Sequence, residues 1–254
     1  MKVVESIADL AAERRARGAG DTGFVPTMGA LHDAHVSLIR RSQAENARTW
    51  VSIFVNPAQF NDPGDLASYP RPLDADLEAL RAAGCDLVFV PRAREIYPDG
   101  YRYRVVENDL SLKYCGAGRP GHFDGVLTVV LKLLLLVRPE RTYFGEKDYQ
   151  QLRLVEGLAE TFFLDTKIVR CPLVRELDGL AMSSRNRLLS AAERERAPGF
   201  HRLLESSVEK RQSTAEAANE LAREGFDVEY VADYERRRLA AVRLGKVRLI
   251  DNVE

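Results

Sequence analysis

Two histidines three positions apart, His32 and His35, stand in the string "FVPTMGALHDAHVSLIR". Phe24-Val25-Pro26-Thr27 is a short apolar run of strand character, and Met28-Gly29-Ala30-Leu31 is a turn. Val36, Leu38 and Ile39 begin a helix from about Ala34. The histidines therefore fall where a strand hands over to a helix N-terminus. Unsatisfied N–H groups and the positive end of the helix dipole attract phosphate there. Imidazoles at such a place can donate hydrogen bonds to phosphate oxygens as charge moves. Taken alone, so short a pattern is better explained by one histidine capping the helix and the other facing solvent. The rest of the chain reverses that balance.

Three further loops carry related groups. "SIFVNPAQF" puts Asn56 and Gln59 after a second strand-like run, where neutral amides suit a small polar ligand. The turn signals Asn56-Pro57 and Asp62-Pro63-Gly64 account for the same polarity without a ligand. In "YFGEKDYQQL", Gly145 allows close backbone approach and Lys147 is a point charge suited to phosphate. Asp148 can accept from a ribose hydroxyl, and one of Gln150 and Gln151 is expected to face a ligand. An acidic first turn formed by Glu146 and Asp148 explains the loop equally well. "GLAMSSRNR" offers the hydroxyls of Ser183 and Ser184 and the guanidinium of Arg185, as a phosphate-gripping loop or as a helix cap. The chain has no G-x-x-x-x-G-K-[ST], no G-x-G-x-x-G directly following the first strand, no H-E-x-x-H and no paired-cysteine motif. Nucleotide binding here would rest on histidines and loops.

The elements that must position these loops alternate. Helix is expected at the N-terminus behind Ser6, with Ile7, Leu10 and Ala11 on one face. Strands are expected at Thr22–Thr27, Thr49–Val55, Leu87–Val90, Thr142–Phe144 and Thr166–Val169. Helices are expected at Ala34–Glu45, Asp74–Ala83, Asp124–Val137 and Lys147–Phe162. Alternation with continuously apolar strands predicts an α/β fold, a Rossmann-like, doubly wound, mostly parallel sheet. Ligands in such folds bind beyond the carboxyl ends of the strands. After Val174 the texture changes to a polar loop, helices at Ala191–Lys210 and Thr214–Glu224, and strands at Val228–Val231, Leu239–Leu244 and Val247–Ile250. Residues 1–174 are thus expected to form a large first domain and residues 175–254 a smaller C-terminal α+β domain.

The 254 residues are 45% hydrophobic and 30% charged, which places the chain among ordinary globular proteins. Thirty-seven basic residues against 38 acidic ones leave a net charge of −1, which argues against a nucleic-acid or acidic-membrane partner. The run Arg236-Arg237-Arg238 reads as a solvated segment. "MKVVESIADLAAERRARG" lacks the apolar core of a signal peptide, and Gly125–Val137 is too short to span a bilayer and contains Lys132. Cys85, Cys115 and Cys171 fit neither a disulfide framework nor a zinc knuckle, so they are expected to be reduced and mostly buried in a cytoplasmic protein.

The strings "FVPTMGALHDAH", "VSIFVNPAQF", "YPR", "RPGHFDGVLTVVLKL", "FGEKDYQQL", "VRELDGLAMSSRNR" and "RLIDN", in this order, resemble the pantoate–β-alanine ligase (pantothenate synthetase) family. That family belongs to the adenylate-forming nucleotidyltransferases with a HIGH-like motif. The resemblance implies ATP-dependent joining of (R)-pantoate and β-alanine through a pantoyl-adenylate, releasing AMP and pyrophosphate. It implies that Met28, Gly29, Ala30, Leu31, His32, Asp33, Ala34 and His35 line the ATP site, with His35, His32 and Lys147 on the phosphates as the catalytic residues, His35 foremost. It further assigns Gly145, Glu146, Lys147, Asp148, Val174, Met182, Ser183, Ser184 and Arg185 to ATP, and Gln59 and Gln151 to pantoate. Mg²⁺ is expected to arrive with ATP, with no protein ligand assigned, and a homodimer is expected. Three departures stand out: Ala34 replaces the usual glycine, Leu173 replaces threonine, and the C-terminal region is short, with "YVADYERRRLAAVRLGK" condensing a longer segment. Another superfamily nucleotidyltransferase, a tRNA-charging enzyme and a nucleotide-binding relic without turnover are the competing readings.

Overall fold

The structure, a computed structural model, describes residues 1–17 and 21–254. They divide into two compact units, Met1–Glu146 with Gln150–Cys171, and Lys147–Tyr149 with Pro172–Glu254. The chain runs β1 (Lys2–Val4), α1 (Ile7–Ala16), β2 (Thr22–Thr27), α2 (Asp33–Glu45), β3 (Arg48–Ile53), α3 (Pro63–Ser68), α4 (Leu73–Ala82), β4 (Leu87–Phe89), α5 (Ala93–Ile96), α6 (His122–Val137), β5 (Arg141–Gly145), α7 (Tyr149–Thr161) and β6 (Lys167–Cys171). It continues with α8 (Ala191–Arg196), α9 (Pro198–Glu209), α10 (Thr214–Arg223), β7 (Asp227–Tyr234), β8 (Arg237–Leu244) and β9 (Val247–Val253).

In the first unit six strands form one sheet in the order β1-β4-β3-β2-β5-β6, and every pairing is parallel. From β2 the chain builds outward through β3 and β4, then returns to add β5 and β6 on the other side of β2. The carboxyl ends of β2 and β5 therefore flank the point where strand order reverses, the usual ligand position of such sheets. Val25, Val51, Val88, Tyr143 and Val169 point into one core with Leu38 and Ile39 of α2 and Leu80 of α4. The intervening residues Phe24, Trp50 and Phe89 are buried as well, so these strands are covered on both faces, as a parallel sheet requires.

The second unit carries the antiparallel sheet β7-β8-β9. Phe200 and Leu204 of α9 and Leu221 of α10 share a core with Ala240, Val242, Leu249 and Val253. The condensed C-terminal segment closes as the β7–β8 hairpin, whose turn residue Glu235 has φ 54°. The fold is thus the expected α/β architecture with a small α+β part. No helix among the described residues is long and apolar enough to cross a membrane.

Three sequence readings change. The edge strand β1 precedes the N-terminal helix, pairing parallel to β4; three residues are too few for a period-2 signal. The expected helix Ala191–Lys210 is two helices, because Pro198 supplies no N–H and opens a new first turn. Arg237 and Arg238 are not solvated. They sit on the central strand β8 with side chains only 13% and 8% exposed. Arg238 is neutralised there by Asp233 at 2.8 Å and donates to the Ser207 hydroxyl at 3.0 Å. Burial of Cys85 and Cys171 follows the expectation, and desolvation pushes the Cys85 thiol up to about 12.

Helix α6 meets the 3₁₀ turn Pro57–Gln59 backbone to backbone at Gly125. A Cβ there would lie 2.3 Å from the Ala58 carbonyl oxygen and 2.7 Å from the Gln59 nitrogen. In an open helix Gly→Ala stabilises by roughly 1 kcal/mol. Gly125→Ala is expected to do the reverse, lowering the melting temperature because backbone must move. A raised melting temperature would show that α6 and the turn separate without cost.

Candidate active site

Thr27 ends β2, and its hydroxyl donates to the Ser52 carbonyl at 2.7 Å while accepting from Gly29 N at 3.2 Å. Gly29 and Ala30 then take left-handed backbone angles, φ 78° and 51°. The reason lies on α4. Asp76, only 3% exposed, accepts from Ala30 N through Oδ2 and from Leu31 N through Oδ1, both at 2.8 Å. A Cβ on residue 29 would approach Asp76 Oδ2 to 2.8 Å, so glycine is required by space as well as by φ. The sequence reading missed Asp76. The signal was an acid on the same helical face as Leu77 and Leu80, where a carboxylate needs donors.

The turn delivers the chain into α2 with His32 as N-cap, φ −146° and ψ 175°. His35 N and Val36 N both donate to the His32 carbonyl, at 2.8 and 3.1 Å. The two imidazole centroids are 4.1 Å apart with the rings inclined at 39°. Both rings thus lie together at the helix N-terminus, at the carboxyl end of β2. Asp33 and Ala34 are in the first turn of α2, and φ of Ala34 is negative. The N–H groups of Ala30 and Leu31 are committed to Asp76, so a ligand here meets the imidazoles and the helix's first turn instead.

Gln59 is built from a second network. Asn56, 1% exposed, donates to the Gln59 side-chain oxygen at 2.9 Å and to the Gly125 carbonyl at 3.1 Å. Its own oxygen accepts from the Tyr97 hydroxyl at 2.7 Å. Gln59 Nε2 lies 3.2 Å from Met28 Sδ, which brings Gln59 beside the histidine turn. The Gln59 backbone carbonyl faces His122 Nδ1 at 2.7 Å, while His122 Nε2 faces Arg119 at 3.0 Å. A carbonyl only accepts and a guanidinium only donates, so His122 carries its proton on Nδ1. These two residues of the "RPGHFDGV" string received no role from the sequence.

The choice between the two glutamines is resolved locally. Gln150 turns inward, accepting from Cys115 N at 3.0 Å and donating to the Leu110 and Lys113 carbonyls at 2.8 Å. Gln151, half-buried, remains the candidate for a ligand. Gly145 ends β5, and a Cβ built there would meet nothing within 4 Å, so the space beside its backbone is open. Glu146 begins the 3₁₀ turn Glu146–Asp148 that replaces the expected first turn of helix.

In the second unit Lys147 Nζ stands 3.7 Å from Asp148 Oδ2, and Asn252 Nδ2 donates to the Lys147 carbonyl at 3.1 Å. Val174 and Met182 close a hairpin through Met182 N donating to Val174 O at 3.0 Å, with Gly179 at φ 92° in its turn. Ser183 caps the 3₁₀ turn Ser184–Leu188 by accepting from Arg185 N at 3.3 Å. The cap reading of this loop is therefore realised, while Arg185 stays half-buried and Ser184 buried. Asn186 pins the turn to the hairpin through the Glu176 carboxylate at 2.7 Å and the Ala181 carbonyl at 3.1 Å. Arg175 grips the buried Asp251 with both guanidinium nitrogens, at 2.8 and 3.0 Å, so the "VREL" and "RLIDN" strings meet.

Comparison with known proteins gives one family. The family model described as pantoate-beta-alanine ligase matches residues 2–254. Pantothenate synthetase of Bdellovibrio bacteriovorus is 51% identical over 253 residues, covering 100% of this chain and 99% of that protein. That of Coxiella burnetii is 48% identical over 252 residues, covering 99% and 96%. The crystal structure of pantothenate synthetase from Thermus thermophilus has a TM-score of 0.91 at 42% identity, covering 100% of this chain and 99% of that one. Pantoate-beta-alanine ligase from Francisella tularensis, complexed with beta-gamma ATP and beta-alanine, has a TM-score of 0.92 at 40% identity, covering 100% and 97%. With its full length matched in sequence and in fold, the chain belongs to the pantoate–β-alanine ligase family.

Proposed function

We propose that this chain joins pantoate to β-alanine at the expense of ATP, through a pantoyl-adenylate. The observation that carries the reading is the pair of imidazoles held together at the N-terminus of α2, at the switch point of the parallel sheet. A carboxylate oxygen of pantoate attacks the α-phosphorus, and the bond to pyrophosphate breaks. The amine of β-alanine then attacks the acyl carbon, loses a proton, and AMP leaves. Both steps move negative charge on phosphate, so oriented donors and cations supply the catalysis. In this reading His35 and His32 donate to phosphate oxygens as the bond to pyrophosphate breaks. Lys147 adds a fixed charge, Asp148 accepts from ribose, and Ser183, Ser184 and Arg185 grip the phosphates. The Val174 backbone meets adenine, Met182 closes over the phosphates together with Ser183 to Arg185, and the 28–31 turn and Gly145–Glu146 line the nucleotide. Gln59 and Gln151 receive pantoate.

Mg²⁺ fits as a companion of the nucleotide. The charged and N–H groups these loops offer toward phosphate, imidazoles, an ammonium and backbone N–H, are donors that suit phosphate oxygens, whereas Mg²⁺ takes oxygen ligands. When bound through phosphate oxygens and water, it would screen the triphosphate charge. The reading extends to a homodimer, which the family resemblance implies, and to a cytoplasmic location, which the cysteine usage suggests.

The order of chemistry is tested by isotope exchange between ATP and pyrophosphate. Exchange is expected with pantoate and Mg²⁺ and without β-alanine; exchange that needs β-alanine would rule out the adenylate, and exchange with a different acid would point to another nucleotidyltransferase. His35→Ala is expected to slow exchange by roughly 10²–10³, the scale of one oriented donor. Its melting temperature should hardly change, since the side chain is half-buried. A fully active variant would remove His35 from the mechanism. Gln59→Ala and Gln151→Ala should each raise the KM for pantoate far more than that for ATP, because polar groups of a bound pantoate lose their partners. Equal losses toward both substrates would contradict the assignment.

A further inference from the structure

Arg237 of the arginine run and Asn252 of the "RLIDN" string have no role in the reaction as described, yet both converge on the segment that carries Lys147. Lys147–Tyr149 groups with the C-terminal unit, although its neighbours on either side belong to the parallel-sheet unit. Two anchors hold it there. Asn252 of β9, 3% exposed, donates its amide to the Lys147 carbonyl at 3.1 Å. The oxygen of the same amide accepts from Arg237 Nη1 at 2.6 Å. Because a guanidinium only donates and a carbonyl only accepts, the amide has one orientation compatible with both bonds. Arg237 also lies over the Tyr149 ring, 4.8 Å from its centroid. The Tyr149 hydroxyl donates to Glu235 in the β7–β8 turn at 2.5 Å, and its ring meets Tyr234 edge-on at 6.3 Å. Asn252 is itself fixed from behind, its N–H donating to Asp251 at 2.7 Å and its carbonyl accepting from Arg175 at 3.3 Å.

We propose that Arg237 and Asn252 form a clamp that sets the backbone of Lys147–Tyr149, making them positioning residues for the Lys147 ammonium. The physical need is plain. Lysine is a point charge on a flexible four-carbon stem, with none of the planar fork that preorganises arginine. Its charge is aimed only as well as its backbone is held. Lys147 lies in a 3₁₀ turn just outside a strand, where no ladder fixes it. The clamp supplies what the ladder does not: a hydrogen bond to the carbonyl of residue 147 and a cation–π contact with the ring of residue 149. The substitution-sensitive atoms are on β8 and β9, about a hundred positions later in the chain, so this dependence cannot be read from the loop itself.

The inference rests on the role proposed above for Lys147, and a double-mutant cycle separates the two. Pantoate-dependent ATP–pyrophosphate exchange is measured for Lys147→Ala, Asn252→Ala, Asn252→Asp and each pair with Lys147→Ala. Asn252→Asp keeps the size of the side chain and the acceptor for Arg237, replaces the N–H donated to Lys147 by an acceptor oxygen, and adds a negative charge, whereas Asn252→Ala removes the N–H without adding charge. Each Asn252 variant should lower kcat/KM for ATP by roughly tenfold, the scale of one buried carbonyl left unpaired. The same changes should matter less than about twofold when Lys147 is already alanine, because coupled groups are non-additive. The KM for pantoate should stay within that range. Should the Asn252 variants fail to fold, Arg237→Met is put through the same cycle, since it keeps the apolar stem and removes the donors. Equal losses with and without Lys147, or full exchange in Asn252→Asp beside an impaired Lys147→Ala, would overturn the clamp. A Lys147→Ala variant with unimpaired exchange would overturn the role of the lysine itself, and the clamp with it.

Discussion

A carboxylate sealed inside the sheet unit governs the geometry of the histidine loop. Asp76 is 3% exposed, and a charge in such a place is costly unless it is hydrogen-bonded. Two consecutive backbone N–H groups, from Ala30 and Leu31, meet that need at 2.8 Å each. To aim both at one carboxylate the chain must bend through left-handed angles at Gly29 and Ala30. For alanine that conformation costs roughly 1–2 kcal/mol. Hydrogen bonds to a charged group contribute about 1.5–3 kcal/mol each, so the strain is offset. The bend fixes the direction in which the chain leaves β2, and that direction makes His32 the N-cap of α2 and brings His35 alongside it.

Asp251 solves a similar problem in the second unit with a guanidinium and one backbone N–H as donors. Its carboxylate holds both arms of Arg175, lies 3.2 Å from His201 Nδ1, and accepts from Asn252 N. One buried acid thereby joins the hairpin that carries Val174 and Met182 to the strand that carries Asn252. Each unit thus has a candidate nucleotide loop braced by a buried carboxylate. A rigid brace suits a reaction whose catalysis lies in oriented donors, since small displacements of such groups are expensive.

The sequence was legible wherever the deciding interactions are local. Apolar periodicity gave β2 through β6 and α2, α4, α6 and α7 to within a few residues, because strands buried on both faces and amphipathic helices write their burial into neighbouring positions. Turn and cap chemistry gave Ser6 before α1. What stayed hidden depends on residues far apart in the chain. β1 pairs with β4 across more than eighty positions. The importance of Asp76 appears only when its helix is laid against the turn after β2. Arg237 looks like a member of a solvated basic run until β8 is seen to be central, where alternation turns it toward Asn252 and Tyr149. For the candidate site, residue types and order along the chain pointed to the loops, whereas the inward turn of Gln150 needed the packing of residues 110–115.

Ala34 shows why a departure from a family pattern has to be weighed against the backbone. A glycine beside the second histidine suggests that the loop needs a left-handed residue there. In this chain the left-handed pair lies earlier, at Gly29 and Ala30, where Asp76 demands it. By residue 34 the chain is already helical with negative φ. At such a position alanine is preferred to glycine by roughly 1 kcal/mol, through helix propensity and a less flexible unfolded chain. The methyl group therefore works with the capping geometry: it stiffens the first turn of α2, which carries the N–H groups and imidazoles that the proposed function assigns to phosphate. What must remain glycine is residue 29, where both φ and the 2.8 Å approach to Asp76 leave no room for a side chain.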